Sequence, residues 1–415
     1  MLLAANRNYR LLFTASAVSN LGDGISALAF PWLATLITRD PVMIALVAAA
    51  TRLPWFLFAI PAGVITDRFN RQRLMVQADI LRLILTCGVV GLILSGPALP
   101  LPDTAAQAQT LILGLCAAAF LLGSAEVIRD NAAQTALPSI VSKADLEAAN
   151  GQMWSVEQIM GQFVGPPLAG LLIALAVPLP FAVDAVTFAI AAWCVWLIVM
   201  PPRKAVKMPD GFWPQLVEGI KWIYVHKLIL RLAIMLGLLN MLNIIGLTVL
   251  VLFSQEVLGL GAAAHGLLLT AGAAGGVIGG LIAPRIVARI GADASVKIAL
   301  LIFPLPYLVI SVTSNPYVVA AALFVEMLAA ILWNVVTVSL RQRTIPDELL
   351  GRVNSIYRFF GWGTMPIGAL IGGVLVAVFE PDLGREAALR LPFLVGGLGA
   401  VVLFFYGLAR LKLDR

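Results

Sequence analysis

Cysteine, histidine and charge are all scarce in this chain. Its 415 residues include three cysteines and two histidines, and only 12% are Asp, Glu, Lys or Arg. Cys87, Cys116 and Cys194 fall in separate apolar stretches, so neither a disulfide framework nor a thiolate metal site has the spacing it needs. His226 and His265 stand apart and are expected at loop edges, in solvated or structural roles. With no clustered donors, the sequence offers nothing to hold a metal or another cofactor and no Cys/His nucleophile. A glycine-rich loop ending in Gly-Lys-Ser or Gly-Lys-Thr is also missing, which argues against nucleotide-driven work. No small-residue cleavage site follows the first apolar stretch, so it reads as a retained helix rather than a leader.

What the chain has in abundance is apolar surface. Hydrophobic residues make up 60% of it and the mean hydropathy is +0.96. A soluble domain carries roughly one charged residue in four; here lipid is the solvent for most of the chain. A helix needs about 20 apolar residues to cross the hydrocarbon, and about twelve such stretches occur. They run over 10–37, 43–66, 73–96, 108–129, 148–176, 179–200, 228–253, 263–289, 294–313, 317–340, 353–379 and 390–411. The expected class is an all-α membrane protein.

A pI of 9.4 would suit a nucleic-acid partner, but the positions of the basic residues point elsewhere. With the N-terminus placed inside, alternate loops hold 21 of the 28 Lys and Arg residues and the opposite loops hold 3. That bias orients helices through the positive-inside rule. Both termini are therefore expected on the cytoplasmic side of the cell membrane, with a basic rim that attracts anionic lipid headgroups.

The longest polar interval, 201–227, divides the chain into 1–200 and 228–415, each with six spans. Its Phe212, Trp213, Leu216, Val217, Ile220, Trp222 and Ile223, interleaved with Glu218, Lys221 and Lys227, suit an amphipathic helix lying at the interface. The two parts repeat. Gly-Val-Ile-Thr-Asp-Arg at 63–68 corresponds to Gly-Leu-Ile-Ala-Pro-Arg at 280–285, an offset of 217, and Asn150 corresponds to Asn354 at 204. Pro166 with Gly170 has its counterpart in Pro366 with Gly372 and Gly373. Paired six-helix repeats are the plan of large secondary transporters, which bind substrate near midplane.

Charges inside the apolar runs are the candidate functional residues, because ionisable groups in lipid are rare and mark ion or substrate paths. Asp79 and Arg82 share one helix face at a spacing of three and can pair. Arg82 lies about 14 Å along its helix from Arg73, near the middle of a hydrocarbon layer of about 30 Å. Asp23, between Gly22 and Gly24, is expected to pair with Arg52, the glycines leaving room for water or ligand. Glu157 and Glu326 have no basic neighbour at helical spacing; with Asp23 they are the proton-coupling candidates. A protonated carboxyl hydrogen-bonded inside the bundle is the structural alternative for each. Glu126 and Asp184, nearer the ends of their spans, read as solvated or capping.

Gly63-x3-Asp67-Arg68-x2-Arg71-x-Arg73, in the short loop after the second span, resembles the signature loop of the major facilitator superfamily. The opening Asn8-Tyr9-Arg10-Leu11-Leu12, the Asp79-x2-Arg82 pair and Leu137-Pro138 are similar to its bacterial branch of macrolide-efflux and enterobactin-export proteins. The resemblance implies two pseudo-symmetric six-helix bundles, alternating access and coupling to protons. It implies a conformational latch in which Gly63 lets helices approach, Asp67 meets the start of the eleventh helix, and Arg68 and Arg71 anchor the turn, Arg71 reaching Asp130. Gly161-x3-Gly165-Pro166-Pro167-x2-Gly170 resembles the antiporter motif, departing from it at Pro167 and Ala169. A kinked interface helix is its plainer reading.

Trp32, Trp55, Trp154, Trp333 and Trp362 would suit a broad amphipathic ligand, although tryptophan also gathers at membrane interfaces. The expected function is a secondary exporter of amphipathic small molecules such as drugs, siderophores or metabolites, a monomer working by proton antiport. A facilitator or lipid translocator on the same fold is the alternative, and a membrane-embedded sensor a weaker one.

Overall fold

The computed structural model describes residues 2–102, 107–142, 145–200 and 212–413, with certain side chains inside helices, Asp67 among them, outside that description. After a short turn at Leu2–Ala5, twelve long helical segments follow. They are α1 (Arg7–Ile37), α2 (Pro41–Arg68), α3 (Arg71–Ser95), α4 (Ala108–Ile140), α5 (Leu146–Glu157, Gln158–Val164 and Gly165–Leu175 in series) and α6 (Leu179–Trp196). After the linker helix Phe212–Val225 come α7 (Lys227–Glu256), α8 (Ala262–Ile290), α9 (Ala292–Ile302 and Pro304–Val312), α10 (Pro316–Thr344), α11 (Asp347–Gly363 and Met365–Leu383) and α12 (Arg385–Arg410). Among the described residues there is no strand.

Local chemistry explains where these helices start and bend. Asn6, Asp40, Asn70 and Asn315 cap α1, α2, α3 and α10 with side-chain oxygens that accept orphan amide hydrogens. Proline occupies the first position of α2 and α10, where its missing N–H costs nothing. In α5, Pro166 and Pro167 cannot donate to the preceding turn, and the helix widens just before them: Gly165 N–H donates to the Met160 carbonyl, an i→i−5 bond in the π-helical segment Gln158–Val164. Gly291 (φ 82°) and Gly384 (φ 79°) sit in backbone geometry open to glycine, which lets α9 and α12 begin directly after the helices before them.

Helix α3 reveals the solvent. Its buried positions are Met75, Ala78, Asp79, Arg82, Thr86 and Val89, whereas Ile80, Leu81, Ile84 and Leu92 are exposed, Ile84 by 61%. A helix that turns its charges inward and its leucines outward is built for hydrocarbon, since exposing that apolar face to water costs about 25 cal/mol per Å². Eleven helices of the described residues are long and apolar enough to cross a membrane. Helix α1 is long enough, at about 46 Å, but Ser16, Ser19, Asn20, Asp23 and Ser26 lower its hydropathy. The chain is a multi-pass membrane protein.

Two compact units form: Met1–Lys204 with Leu260–Thr270, and Ala205–Gly259 with Ala271–Arg415. The linker helix thus packs with the second unit, against α11 and α7, and the first turns of α8 pack with the first. In the first unit, α3 lies against α4 and α6, α2 runs along α4, and α1 contacts α6 and the last part of α5. In the second, α7 runs along α11 and α12, and α9 packs on α10 and α12.

The repeat is built into the crossings. A Cβ on Gly165 of α5 would stand 2.6 Å from Gly24 Cα of α1. A Cβ on Gly368 of α11 would stand 2.5 Å from the Met241 carbonyl of α7. Gly24 and Met241 are 217 positions apart, the offset seen between the two glycine-led loops.

The opening Asn8-Tyr9 pair also has a physical role. The Asn8 side chain donates to the Val199 carbonyl (2.9 Å) and accepts from its amide (3.2 Å), while the buried Tyr9 hydroxyl donates to Gln152 Oε1 (2.9 Å). Gln72 Nε2 donates to the carbonyls of Val195, Trp196 and Ile198, so α1, α3 and α6 are tied at one end.

Candidate functional site

The buried charges of the first unit form one network across four helices. Arg82 of α3, 2% exposed, pairs through Nη2 with Asp23 of α1. Its Nη1 donates to Ser19 Oγ (3.0 Å), and its guanidinium stacks 3.9 Å above the Phe188 ring of α6. Asp79, fully buried, lies 3.8 Å from Arg82 Nη1 and 3.6 Å from Nε of Arg129 on α4. Neither Asp79 oxygen accepts a hydrogen bond among the described residues, so charge alone holds it. Arg129, also 2% exposed, pairs with Asp130 at 3.3 Å and contacts Ser16 Oγ at 3.5 Å.

Beside this chain of charges, Asp184 of α6 is fully buried and accepts from Ser26 Oγ (2.5 Å) and Thr187 Oγ1 (3.3 Å). It and Glu126 of α4 act electrostatically on Arg82. Two arginines thus lie among five carboxylates; in a medium of effective dielectric about 20, a pair at about 4 Å attracts by about 4 kcal/mol.

Several expectations change here. Asp23 pairs with Arg82 rather than Arg52, because α1 packs chiefly on α6, which in turn lies against α3; Arg52 of α2 faces Glu126 of the adjacent α4 instead, and Glu126 hydrogen-bonds Trp55. Asp184 is thus neither solvated nor capping, and Glu126, half-buried, is held by partners on α2 rather than capping its helix. The glycines flanking Asp23 leave no void: a Cβ on Gly22 would collide with Asp184 and Thr187, and one on Gly24 with the Gly161 backbone. Glu157 is exposed, since it follows the buried Val156 and a single residue turns a helix by about 100°. Arg129 stands where the apolar run 108–129 ends, yet lies inside a helix that continues to Ile140.

Arg129 was legible in principle: Glu126-x2-Arg129 repeats the spacing of Asp79-x2-Arg82.

In the loop after α2, Arg71 Nη1 donates to the Thr135 carbonyl of α4 (2.6 Å) and contacts Ser139 Oγ (3.5 Å), whereas Asp130 pairs with Arg129. Arg68 is exposed, and the side chain of Asp67 lies outside the described residues. Among the described residues, a Cβ on Gly63 would meet nothing within 4 Å. The glycines of α5 are tight: Gly165 meets Gly24, Gly170 meets Ala262, and Pro166 faces Gly266, where a Cβ would stand 2.6 Å from its carbonyl. Along α8, close approaches fall at Gly275, Gly276 and Gly279 against α10, while Gly280 is open.

The tryptophans divide by environment. Trp32 is buried with its ring centroid 5.7 Å from that of His265, which is itself buried in α8 rather than solvated at a loop edge. Trp333 is 1% exposed inside the apolar core of the second unit, among Leu332, Val336 and Tyr357, and so is a core side chain rather than a ligand-facing one. Trp55 is half-buried, and Trp154 and Trp362 are exposed.

The second unit holds one buried carboxyl of similar interest. Glu326 of α10 accepts at Oε1 from the Tyr307 hydroxyl of α9 (2.8 Å) and from Asn243 Nδ2 of α7. Among the described residues no three His, Cys, Asp or Glu side chains converge to hold a metal.

A repeated helical plan in lipid, with ion pairs buried inside its spans, defines a multi-pass membrane transport protein of the major facilitator type. The chain belongs to the transmembrane secretion effector family, whose model matches residues 3–396. It is similar to the multidrug efflux pump Tap of Mycobacterium tuberculosis, 25% identical with 94% of this chain and 92% of the pump covered. It is also similar to the enterobactin exporter EntS of Escherichia coli, 24% identical over 93% of this chain and 89% of that protein. Among solved structures, a point mutant of the nucleoside transporter NupG superposes with a TM-score of 0.76 at 13% identity, covering 98% of this chain and 100% of NupG. A bacterial homologue of the iron transporter ferroportin gives 0.75 at 18%, covering 97% and 99%. These two share the fold.

Proposed function

We propose that this protein is a secondary exporter of amphipathic small molecules that cycles by alternating access, driven by proton entry, with both termini on the cytoplasmic side of the cell membrane. The observation that carries this reading is the Asp23–Arg82 pair. Asp23 is 23% exposed and Arg82 only 2%, so a proton can reach the acid while the arginine stays enclosed. Protonating Asp23 removes the closest counter-charge of Arg82, which then turns to Asp79 or Asp184. That change of partner is a two-state element whose equilibrium a proton can bias. The names of Tap and EntS support small-molecule export, of drugs or siderophores, and the excess of basic residues on alternate loops supports the orientation.

Within this reading, Arg71 and Asp67 latch one end of the first unit, Gly161 and Gly165 set how closely α5 rides on α1, and Pro166 and Gly170 how closely it rides on the first turns of α8. Trp32, Trp55, Trp154 and Trp362 are the aromatic candidates for ligand contact. The linker helix, with Val217, Ile220, Tyr224 and Val225 exposed beside Lys221 and Lys227, lies on the membrane surface among anionic headgroups, and the protein works as a monomer.

The test is transport in vesicles. Purified protein reconstituted into proteoliposomes is given a panel of lipophilic dyes, drugs and a catechol siderophore, with and without an imposed pH step. At least one compound is expected to accumulate when the lumen is acidic. Equilibration of every compound with no response to the step would leave a facilitator and remove proton antiport.

A further inference from the structure

We propose that the second unit carries a proton-binding site of its own at Glu326, held by Tyr307 and Asn243, so that the transport cycle moves a second proton besides the one at Asp23. This rests on the proton-antiport reading above and adds a site to it. The two sites differ in kind. Asp23 belongs to an ion pair, whereas the partners of Glu326 are a phenol and an amide, both neutral and both bonded to the same oxygen, Oε1. The Asn243 amide also donates to the Tyr307 hydroxyl (3.1 Å), which closes a polar group of three side chains from α7, α9 and α10. Among the described residues Oε2 has no partner.

Among the described residues the charged groups on the surrounding helices stand far off along their helices; on α11, which meets α7 where Gly368 faces Met241, Arg358 and Glu380 lie ten and twelve residues from that crossing. On α9 the nearest are Asp293 and Lys297, ten residues or more from Tyr307; on α7, Arg231 and Glu256, twelve and thirteen from Asn243; on α10 itself, Arg341, fifteen from Glu326. Helix α8, whose Gly272 and Gly275 back onto Leu323 and Phe324, has no charge between Ala271 and Pro284. Helix α12 has none between Arg390 and Arg410. Ten residues of helix are about 15 Å. An ionised carboxylate so isolated has no counter-ion to offset its desolvation, while a protonated one carries no charge to desolvate and keeps its carbonyl oxygen as the acceptor for Tyr307 and Asn243. A metal ion would need several oxygen ligands, and among the described residues the only other oxygen bonded to Glu326 is the Tyr307 hydroxyl.

The repeat relates the donors but not the carboxyls, since Asp184 lies on the sixth long helix of its unit and Glu326 on the fourth. Asn243 lies 217 residues after Ser26, and each is a hydrogen-bond donor on the first helix of its unit that reaches a buried carboxyl, Asp184 in one case and Glu326 in the other. In the first unit that carboxyl lies within reach of Arg82; in the second, among the described residues, no arginine answers it.

Infrared difference spectroscopy on the full-length protein tests this without a substrate. A pH jump should reveal the carbonyl stretch of a protonated carboxyl that disappears in Glu326→Gln and persists in Asp23→Asn. Glutamine keeps the acceptor oxygen for Tyr307 and Asn243, so that variant should fold. An unchanged carboxyl spectrum in Glu326→Gln would overturn the proposal. In proteoliposomes with the membrane potential clamped, the logarithm of ethidium accumulation per pH unit should fall by one in Glu326→Gln, a tenfold loss for a one-unit step, and a slope equal to wild type would also overturn it. Wild-type vesicles that ignore the pH step altogether would instead count against proton antiport, and the infrared band would still decide whether Glu326 binds a proton. Tyr307→Phe should keep the full slope and displace the pH midpoint, which a merely structural hydroxyl would leave in place.

Discussion

Replacing Asp79 with asparagine separates charge from shape at the centre of the network. Asp79 is fully buried, unbonded by hydrogen, 3.6 Å from Arg129 and 3.8 Å from Arg82. At an effective dielectric of about 20 those two attractions sum to about 9 kcal/mol, against a desolvation cost of several kcal/mol for the carboxylate. Both arginines keep another partner, Asp23 for one and Asp130 for the other, so the net loss belongs at the low end of the range for a broken buried pair, about 3 kcal/mol. Arg129→Gln should cost a similar amount. The double variant should cost about 3 kcal/mol as well, not the sum of the two, because a neutral amide facing a neutral amide strands no fully buried charge, and Asp130, left by Arg129, is partly exposed. Equilibrium unfolding in mixed micelles measures the cycle. Additivity within about 0.5 kcal/mol would refute the coupling, since independent sites behave that way.

Other outcomes follow from the same structure. Gly165→Val should destabilise the first unit by about 1–3 kcal/mol, because its new side chain meets backbone at 2.6 Å, while Gly63→Ala, which meets open space, should stay within about 0.5 kcal/mol in the same unfolding assay. Arg385 bridges Glu256 (2.8 Å) and Glu380 (2.9 Å) at the junction of α7, α11 and α12, but is a quarter exposed. Arg385→Gln should therefore cost less than about 1 kcal/mol, and that cost should shrink further at high salt.

Much of this architecture can be read from the sequence, and the limits have a common cause. Length, hydropathy and the glycine-led repeats at an offset of 217 give the helices and their twofold plan, because they depend on local composition and spacing. The Asp79-x2-Arg82 pair was legible for the same reason: a spacing of three puts both groups on one face. Cross-helix partners were not. Asp23 could be matched to Arg52 or Arg82 on depth alone, and only the packing of α1 against α6, beside α3, decides for Arg82. Arg129 was hidden by the end of an apolar run, although its helix continues for eleven residues beyond it. Glu157 fell on the exposed side because burial depends on rotation about the α5 axis, which Pro166 and Pro167 alter through the π-helical turn before them. The glycines beside Asp23 could equally have lined a cavity or a crossing, and the sequence pattern is the same for both.

The measurement that bears most directly on the account is dye accumulation by wild type and Asp23→Asn in matched proteoliposomes with an acidic lumen, using molecules whose cytoplasmic face points outward. Wild type should concentrate the dye inside as protons leave the lumen, and Asp23→Asn should only equilibrate it while still binding it. Undiminished pH-driven accumulation by the asparagine variant would contradict the claim that a proton acts through the Asp23–Arg82 pair.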